Sequence, residues 1–436
     1  MSGVVGSKVR LAVRNVVSFL GQGSKLGLRH IKEASTSAIR MNQFSTNPIK
    51  KSAFNDTGMH IRPKLKVAAL TGVGPLAVFY AGHLQEAGLE TIFMSARPKI
   101  QDELRKGVMV KYPDTTNGTS NHYKLKADTI SPDDGSKLKG LENVTVFHTG
   151  RLDQVDRLTL PLLQSASGVL AVQNGIFPQD AIRQRIEKFN TSGELKQKNW
   201  QIGDITAFVQ AREANEAEKK DENLDYVVPL DLRTVVSGSE EFGAQIAGLL
   251  KPHANNVEYV SDSLGVRGNK NLLNSGNYLP AIVSMLTSKP MPYNMLMESQ
   301  NQDLLEFTKR IAIEKHHALE PQMVHKQLKI TPEETLLANH NTPGSIESYV
   351  NTTHIPSTSA AVTAKIHGNT PAIEILGTEA NWIAEEIGVK APVLSTVNKA
   401  FHEFNNTPKK AAKIATECLT KLGITTKRID QLKREG

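Results

Sequence analysis

The sequence predicts an α/β domain followed by an all-α domain, and three observations predict it. An apolar run, a glycine-rich turn, a helical pattern and a second apolar run succeed one another over residues 65–95. "GVLAVQNGIFPQDAIRQRI" (168–186) repeats the order of strand, turn and helix. Further on, "NKNLLNSGNYLPAI" (269–282) and "EILGTEANWIAEEIGVKAPVLSTVNKAF" (374–401) read as helices.

The first stretch fixes the start of the α/β domain. Leu65 to Leu70 suit a strand buried on both faces of a parallel sheet. Gly72 permits the tight turn that follows, and Gly74 removes a side chain where a pyrophosphate would approach the backbone. Ala77 lets the helix pack close to the strand. Leu76, Tyr80, Leu84 and Ala87 continue at helical spacing, Gly88 suits the helix end, and "TIFMS" is the second strand. A helix opening at Gly74, Pro75 and Leu76 points unpaired N–H groups at an anion. The GxGxxA spacing in this strand-helix-strand context is that of a dinucleotide-binding Rossmann unit. After the second strand come Ser95, Ala96, Arg97 and Lys99 where such folds otherwise place an acid for a ribose diol. A cation there favours a 2′-phosphate, hence NADP(H) over NAD(H).

Length and composition bound the rest. At 436 residues the chain suits two domains with appendages. Its 39% hydrophobic and 22% charged content supports a real core. No run of about 18 apolar residues predicts a membrane span. The lone Cys418 excludes an internal disulfide and a Cys-rich metal site. His316 and His317 follow Lys315 on a predicted helix with His325, His354 falls in a loop, and no zinc-type spacing appears, so no metal is expected.

The net charge of +8 is concentrated at one end. Residues 1–55 hold nine Lys/Arg against Glu33 alone, which leaves 43 basic and 43 acidic residues in the body. A polyanion-binding surface spread over the body is therefore not expected. Val9, Val13, Val16, Val17 and Leu20 recur at helical spacing among Lys8, Arg10 and Arg14. That is the composition of a mitochondrial transit peptide, expected over residues 1–45, and it predicts a matrix location.

In order and spacing, the stretches at 67–99, 168–186, 269–282 and 374–401 resemble the ketopantoate reductase family. The resemblance covers residues 64–405 loosely, with insertions. It implies an N-terminal Rossmann domain and a C-terminal helical domain like that of 6-phosphogluconate dehydrogenase, with the active site in the cleft between. It further implies that Gly72, Gly74, Pro75, Leu76 and Ala77 hold the pyrophosphate and that Arg97 holds the 2′-phosphate. Asn174 of the Gln-Asn-Gly turn would lie by the nicotinamide, Lys270 would be catalytic with Asn274 as its helical neighbour, and Asn277 would bind substrate.

The sequence departs from the family in its last helices. Counting back from Gly388 without gaps puts Ala372 and Glu374 on the family's Glu-x-Asp, and Ser359 and Ala360 on its two serines. A small gap instead gives Glu374 the acidic role, with Ser359 as the substrate-binding hydroxyl. Gly268 stands where the family has a tryptophan. Two further stretches are not family-like: a polar insertion at 112–140 with a turn at Asp133-Asp134-Gly135, and a charged, solvated excursion at 210–225 between two strands. After Asn406 the tail has eight Lys/Arg against three acids and reads as one or two short helices. It is either a solvated end or a docking segment for mitochondrial RNA or the ribosome.

The expected domains are 1–45 transit peptide, 60–208 Rossmann, 209–261 charged insertion and connecting β-segment, 262–405 helical, and 406–436 basic tail. The expected function is NADPH-dependent reduction of a 2-keto acid, ketopantoate first, by a chain able to form a homodimer. The alternative is a decayed family member kept as a mitochondrial scaffold or activator of organellar mRNA translation.

Overall fold

The computed structural model describes residues 65–95, 97–113, 120–125, 129–131, 135–141, 143–150, 152–195, 200–252, 254, 256–287, 301–334 and 371–435. The segment expected to carry the transit peptide lies outside them. The described residues fall into two units, one running to Gln173 and then Phe177–Ser263, the other formed by Asn174–Ile176 with the chain from Leu264 onward.

The first unit is built on one sheet. Its strands are β1 (Val67–Leu70), β2 (Glu90–Met94), β3 (Val108–Pro113), β4 (Ser120–Leu125), β5 (Thr129–Ser131), β6 (Val144–His148), β7 (Ala166–Ala171), β8 (Gln201–Glu213), β9 (Tyr226–Ser237) and β10 (Val257–Val260). Their spatial order is β4-β3-β9-β8-β7-β6-β1-β2-β5, with β10 also beside β9. The six strands β5-β2-β1-β6-β7-β8 are all parallel. This is the doubly wound order, and its direction of winding reverses between β1 and β6. Every residue of β1 and β6 is buried, which is why both read as unbroken apolar runs apart from Thr145 and His148. Its α-helices among the described residues are α1 (Pro75–Glu86), α2 (Pro98–Lys106), α3 (Leu160–Ser165), α4 (Pro178–Thr191), α5 (Glu216–Asp221) and α6 (Glu240–Leu250).

One expectation is corrected here. The stretch 112–140 is not simply a polar insertion, because β4 and β5 lie within it and β5 supplies the outer strand beside β2. Its pattern is weak because β4 is an edge strand. Leu125 is buried and Tyr123 half-buried, donating its hydroxyl to Gln85 Oε1 at 2.5 Å, while the alternating His122 and Lys124 are exposed. The connecting β-segment expected after residue 208 joins the same sheet, since β8 runs across that point, β9 pairs with β8 and β10 with β9. The charged excursion is the tip of the β8–β9 hairpin, where Asn215 and Glu218 form a reciprocal N-terminal cap on α5, which buries nothing.

The second unit is helical among its described residues: α7 (Leu264–Leu273), a tight turn at Asn274–Asn277, α8 (Tyr278–Ser284), α9 (Gln302–His325), α10 (Pro371–Ile387), α11 (Pro392–Asn406), α12 (Ala411–Lys421) and α13 (Thr426–Glu435). Edge-to-face rings join its core, with Tyr278 to Phe401 at 5.5 Å and Phe401 to Phe404 at 5.8 Å. The "GVKAP" turn forms because Gly388 takes φ +75°, which a side chain disfavours, and ends α10. The Glu314 carboxylate of α9 then accepts the Val393 and Leu394 N–H groups at the start of α11.

The basic tail is not a solvated end. Ile414, Ala415, Cys418, Leu419, Ile429 and Leu432 are buried, and Arg428 pairs with Asp303 at 3.2 Å and donates to Asn301. Its lysines occupy the outer face because the apolar residues occupy the inner one. No helix among the described residues is long and apolar enough to cross a membrane.

Candidate functional site

At the switch point of the sheet, the ends of β1 and β6 meet. Thr71 Oγ1 lies 2.7 Å from His148 Nδ1, and Arg157 donates to the Thr71 carbonyl at 3.3 Å. Ligands of doubly wound sheets bind in this crevice at the carboxyl ends of the strands. Gly72 and Gly74 play different parts in it. A methyl group on Gly72 would sit 2.7 Å from Thr149 Oγ1, so this glycine permits close packing within the protein. A methyl group on Gly74 would meet no atom of the described residues within 4 Å. This glycine caps α1 without any side-chain cap, Pro75 occupies the first turn, Leu76 is half-buried, and Ala77 is buried. The open backbone and the bare helix N-terminus fit a pyrophosphate.

Arg97, just before α2, is exposed. Its charge acts on Tyr226, whose hydroxyl reaches the Val73 carbonyl at 3.5 Å. Burial, then Glu213 with smaller help from Glu103 and Asp225, pushes the Tyr226 phenol up to about 12 against the pull of Arg97. Lys99 instead faces Glu103 at 3.9 Å on its own helix, which leaves Arg97 the better placed of the two to meet an anion. Tyr226 and His148 were not legible as site residues, because each reaches the turn from a distant strand.

A prediction separates the two glycines. Gly74→Ala should leave the melting temperature within about 2 °C of wild type while weakening nicotinamide cofactor binding at least tenfold, since the methyl meets no atom of the described residues. Gly72→Ala should instead lower stability by about 1–3 kcal/mol, an overpacking cost. Thermal unfolding and cofactor titration of both variants check it.

In the helical unit the site centres on Asn174–Ile176 and α7. Arg267 Nη1 donates to the Gly175 carbonyl at 3.0 Å, and the Glu379 carboxylate of α10 accepts the Ile176 N–H at 2.7 Å. Gly175 has φ +127° and a methyl there would lie 3.0 Å from Glu379 Oε1, so both backbone and space demand glycine. Asn174 is left exposed at the head of the turn.

One helical turn after Arg267 comes Lys270. It is half-buried, as are Asn274 and Asn277, whereas Asn271, Leu272, Ser275 and Gly276 between them are buried. The three therefore share the accessible side of this segment, and Asn277 Nδ2 donates to Asn274 Oδ1 at 3.4 Å. Burial, with Arg267 adding like-charge repulsion, pulls Lys270 down to about 7. Behind α7 lies a second lysine, Lys315 of α9, with no exposed surface. Its Nζ donates to the Asn271 carbonyl at 2.8 Å and sits 4.6 Å from the centre of the Tyr278 ring. Burial pulls Lys315 down to about 7, opposed by Glu379.

Sequence reasoning missed Arg267, Lys315 and Glu379. Each is a buried charge whose partner lies far along the chain, so no local pattern marks it. Ser359 and the side chain of Glu374 lie outside the described residues, so the two registers stay open. Gly268 packs against Met323, whose sulfur would meet an added methyl at 2.9 Å.

No family model matches the chain, and no curated protein does. Solved structures do. A PanE/ApbA family ketopantoate reductase from Ralstonia eutropha shares 16% identity with a TM-score of 0.57, the match covering 79% of this chain and 99% of that one. A 2-dehydropantoate 2-reductase from Methylococcus capsulatus shares 14% with a TM-score of 0.53, over 79% and 98%. D-mandelate dehydrogenase in a ternary structure with NADH and anilino(oxo)acetate shares 15% with a TM-score of 0.54, over 79% and 99%. At such identities the likeness speaks for architecture, and this chain has the fold of the ketopantoate reductases.

Proposed function

We propose that the protein is an NADPH-dependent reductase of a 2-keto acid, ketopantoate being the first candidate, working in the mitochondrial matrix that its acid-poor N-terminus suggests. One observation carries the reading. Helix α7 grips the Gln-Asn-Gly turn through Arg267 and, one turn later, presents Lys270 beside Asn274 and Asn277. The open cradle at Gly74 and the exposed cation at Arg97 fit NADPH, and the nicotinamide supplies hydride to the keto carbon when the cofactor is bound.

The chain's own task is then at the oxygen. As the carbon gains hydride, the carbonyl π pair moves to oxygen and an alkoxide develops. The Lys270 ammonium stabilises that charge, donates a proton from Nζ, and is reprotonated from water. Its low pKa makes the proton easy to give. Asn274 and Asn277 offer amide donors to orient the substrate, and Ser359 with Glu374 would serve its other end.

Arg97 tests the cofactor assignment. NADPH should bind at least tenfold more tightly than NADH, because the 2′-phosphate gains a charge-assisted bond. In Arg97→Ala the preference should vanish by loss of NADPH affinity alone. Fluorescence titration measures both, and equal affinities in the wild type would overturn the assignment.

A further inference from the structure

We propose that His316, His317 and Glu333 form a binding site for one divalent transition-metal ion of the zinc class, which ties the segment after α9 back onto that helix. The three side chains offer ligand atoms within 4.8 Å of one another. His317 Nε2 and Glu333 Oε2 are already 3.0 Å apart.

The fold brings Glu333 there by a specific route. At the end of α9 the chain reverses through Gln327, which takes φ +55°, and the Leu328 N–H returns to the Met323 carbonyl at 2.8 Å. The side chain of Asn269 on α7 then fixes the returning strand. Its Nδ2 donates to the Lys329 carbonyl at 2.9 Å, and its Oδ1 accepts from the Thr331 N–H at 2.6 Å and hydroxyl at 2.7 Å. Glu333 follows two residues later and faces His317.

A surface His–Glu pair alone would be ordinary. His316 is what that pair leaves unexplained. It is 4% exposed, and neither ring nitrogen has a hydrogen-bond partner. Its nearest acid is Glu320, 3.9 Å from Nδ1. A buried imidazole without a partner is costly, and a metal bond would satisfy it.

Two imidazoles and a carboxylate are the donor set of zinc and its neighbours, while calcium and magnesium prefer all-oxygen shells. Donors around a tetrahedral zinc lie about 3.3 Å apart, given bonds of about 2.0–2.2 Å. His317 and Glu333, with side chains 48% and 41% exposed, are free to rotate inward onto the fixed His316. Glu320 or water completes the shell. The site would fasten residues 326–334 to α9 at one end, as Asn269 fastens them to α7 at the other.

The test is titration of the tag-free, chelator-stripped full chain with Zn²⁺ against a chromophoric chelator. One equivalent should bind, and Zn²⁺ should raise the melting temperature. His317→Ala and Glu333→Gln, both at accessible positions the fold does not need, should each weaken binding by at least about tenfold. His325→Ala, on the same helix but outside the trio, should bind like wild type. Far-UV circular dichroism confirms that each variant is folded. Equal affinity across all four proteins, or no binding that outcompetes the chelator, would overturn the proposal.

Discussion

Lys270→Ala is expected to slow keto-acid reduction by about 10²-fold or more in kcat, the cost of losing one preorganised donor at a developing oxyanion. The affinity for NADPH should not move, because the residues proposed to hold its phosphates, Gly74 and Arg97, belong to a different structural unit. The pH profile gives an independent reading. Lys270 has its pKa lowered from 10.5 to about 7 by burial and Arg267. Its ammonium is therefore populated below about pH 7, and kcat should fall as pH rises through that value. Stability carries the opposite trend. Between about pH 7 and 10.5 the unfolded chain holds a proton on this lysine that the folded chain has lost, so folding stability rises with pH across that window. Lys270→Ala should flatten the kcat profile and reduce the stability slope, of which Lys315 keeps a share in the same window. A variant with wild-type kcat and an unchanged pH profile would remove Lys270 from the chemistry.

Glu379→Ala should be the most destabilising single change in the helical unit, by about 3–5 kcal/mol, because it strands a buried cation and orphans a backbone donor together. Glu379 is 1% exposed, accepts the Ile176 N–H, and lies close enough to raise the pKa of buried Lys315. Glu379→Gln keeps an acceptor for the amide but loses the charge, so it should cost less. The test of mechanism is a double-mutant cycle. In a Lys315→Met background the stranded cation is gone, and the penalty of Glu379→Gln should shrink by about 0.5–3 kcal/mol. Urea denaturation of the four proteins measures it. Strictly additive losses would show that the two charges do not feel each other.

What the sequence made legible follows from what is local. The turn from β1 into α1 was readable because glycine and alanine are required there by backbone conformation and close packing, and those demands are written in adjacent residues. The Gln-Asn-Gly turn and the Gly388 helix end were readable for the same reason. The clamp around Gly175 was not, since Arg267 lies 92 and Glu379 more than 200 residues away along the chain. Nothing in either local pattern distinguishes a charge turned inward from one in solvent. Strands β4 and β5 were hidden because edge strands bury one face at most, leaving polar alternation that resembles a loop. The tail misled in the opposite way. Its eight basic residues dominate the composition, while the packing that places it is carried by six spaced apolar residues. Lys270 was singled out by resemblance, and its half-buried position beside Arg267 adds a physical reason to it.

The most direct test of the account is a single-turnover experiment with the purified full chain, preloaded with NADPH and mixed with ketopantoate and a panel of other 2-keto acids. The account predicts that one equivalent of NADPH is oxidised for each hydroxy acid formed, at a rate cut by about 10²-fold in Lys270→Ala. A protein that binds NADPH but forms no hydroxy acid from any member of the panel would contradict it, and would leave the fold as a scaffold.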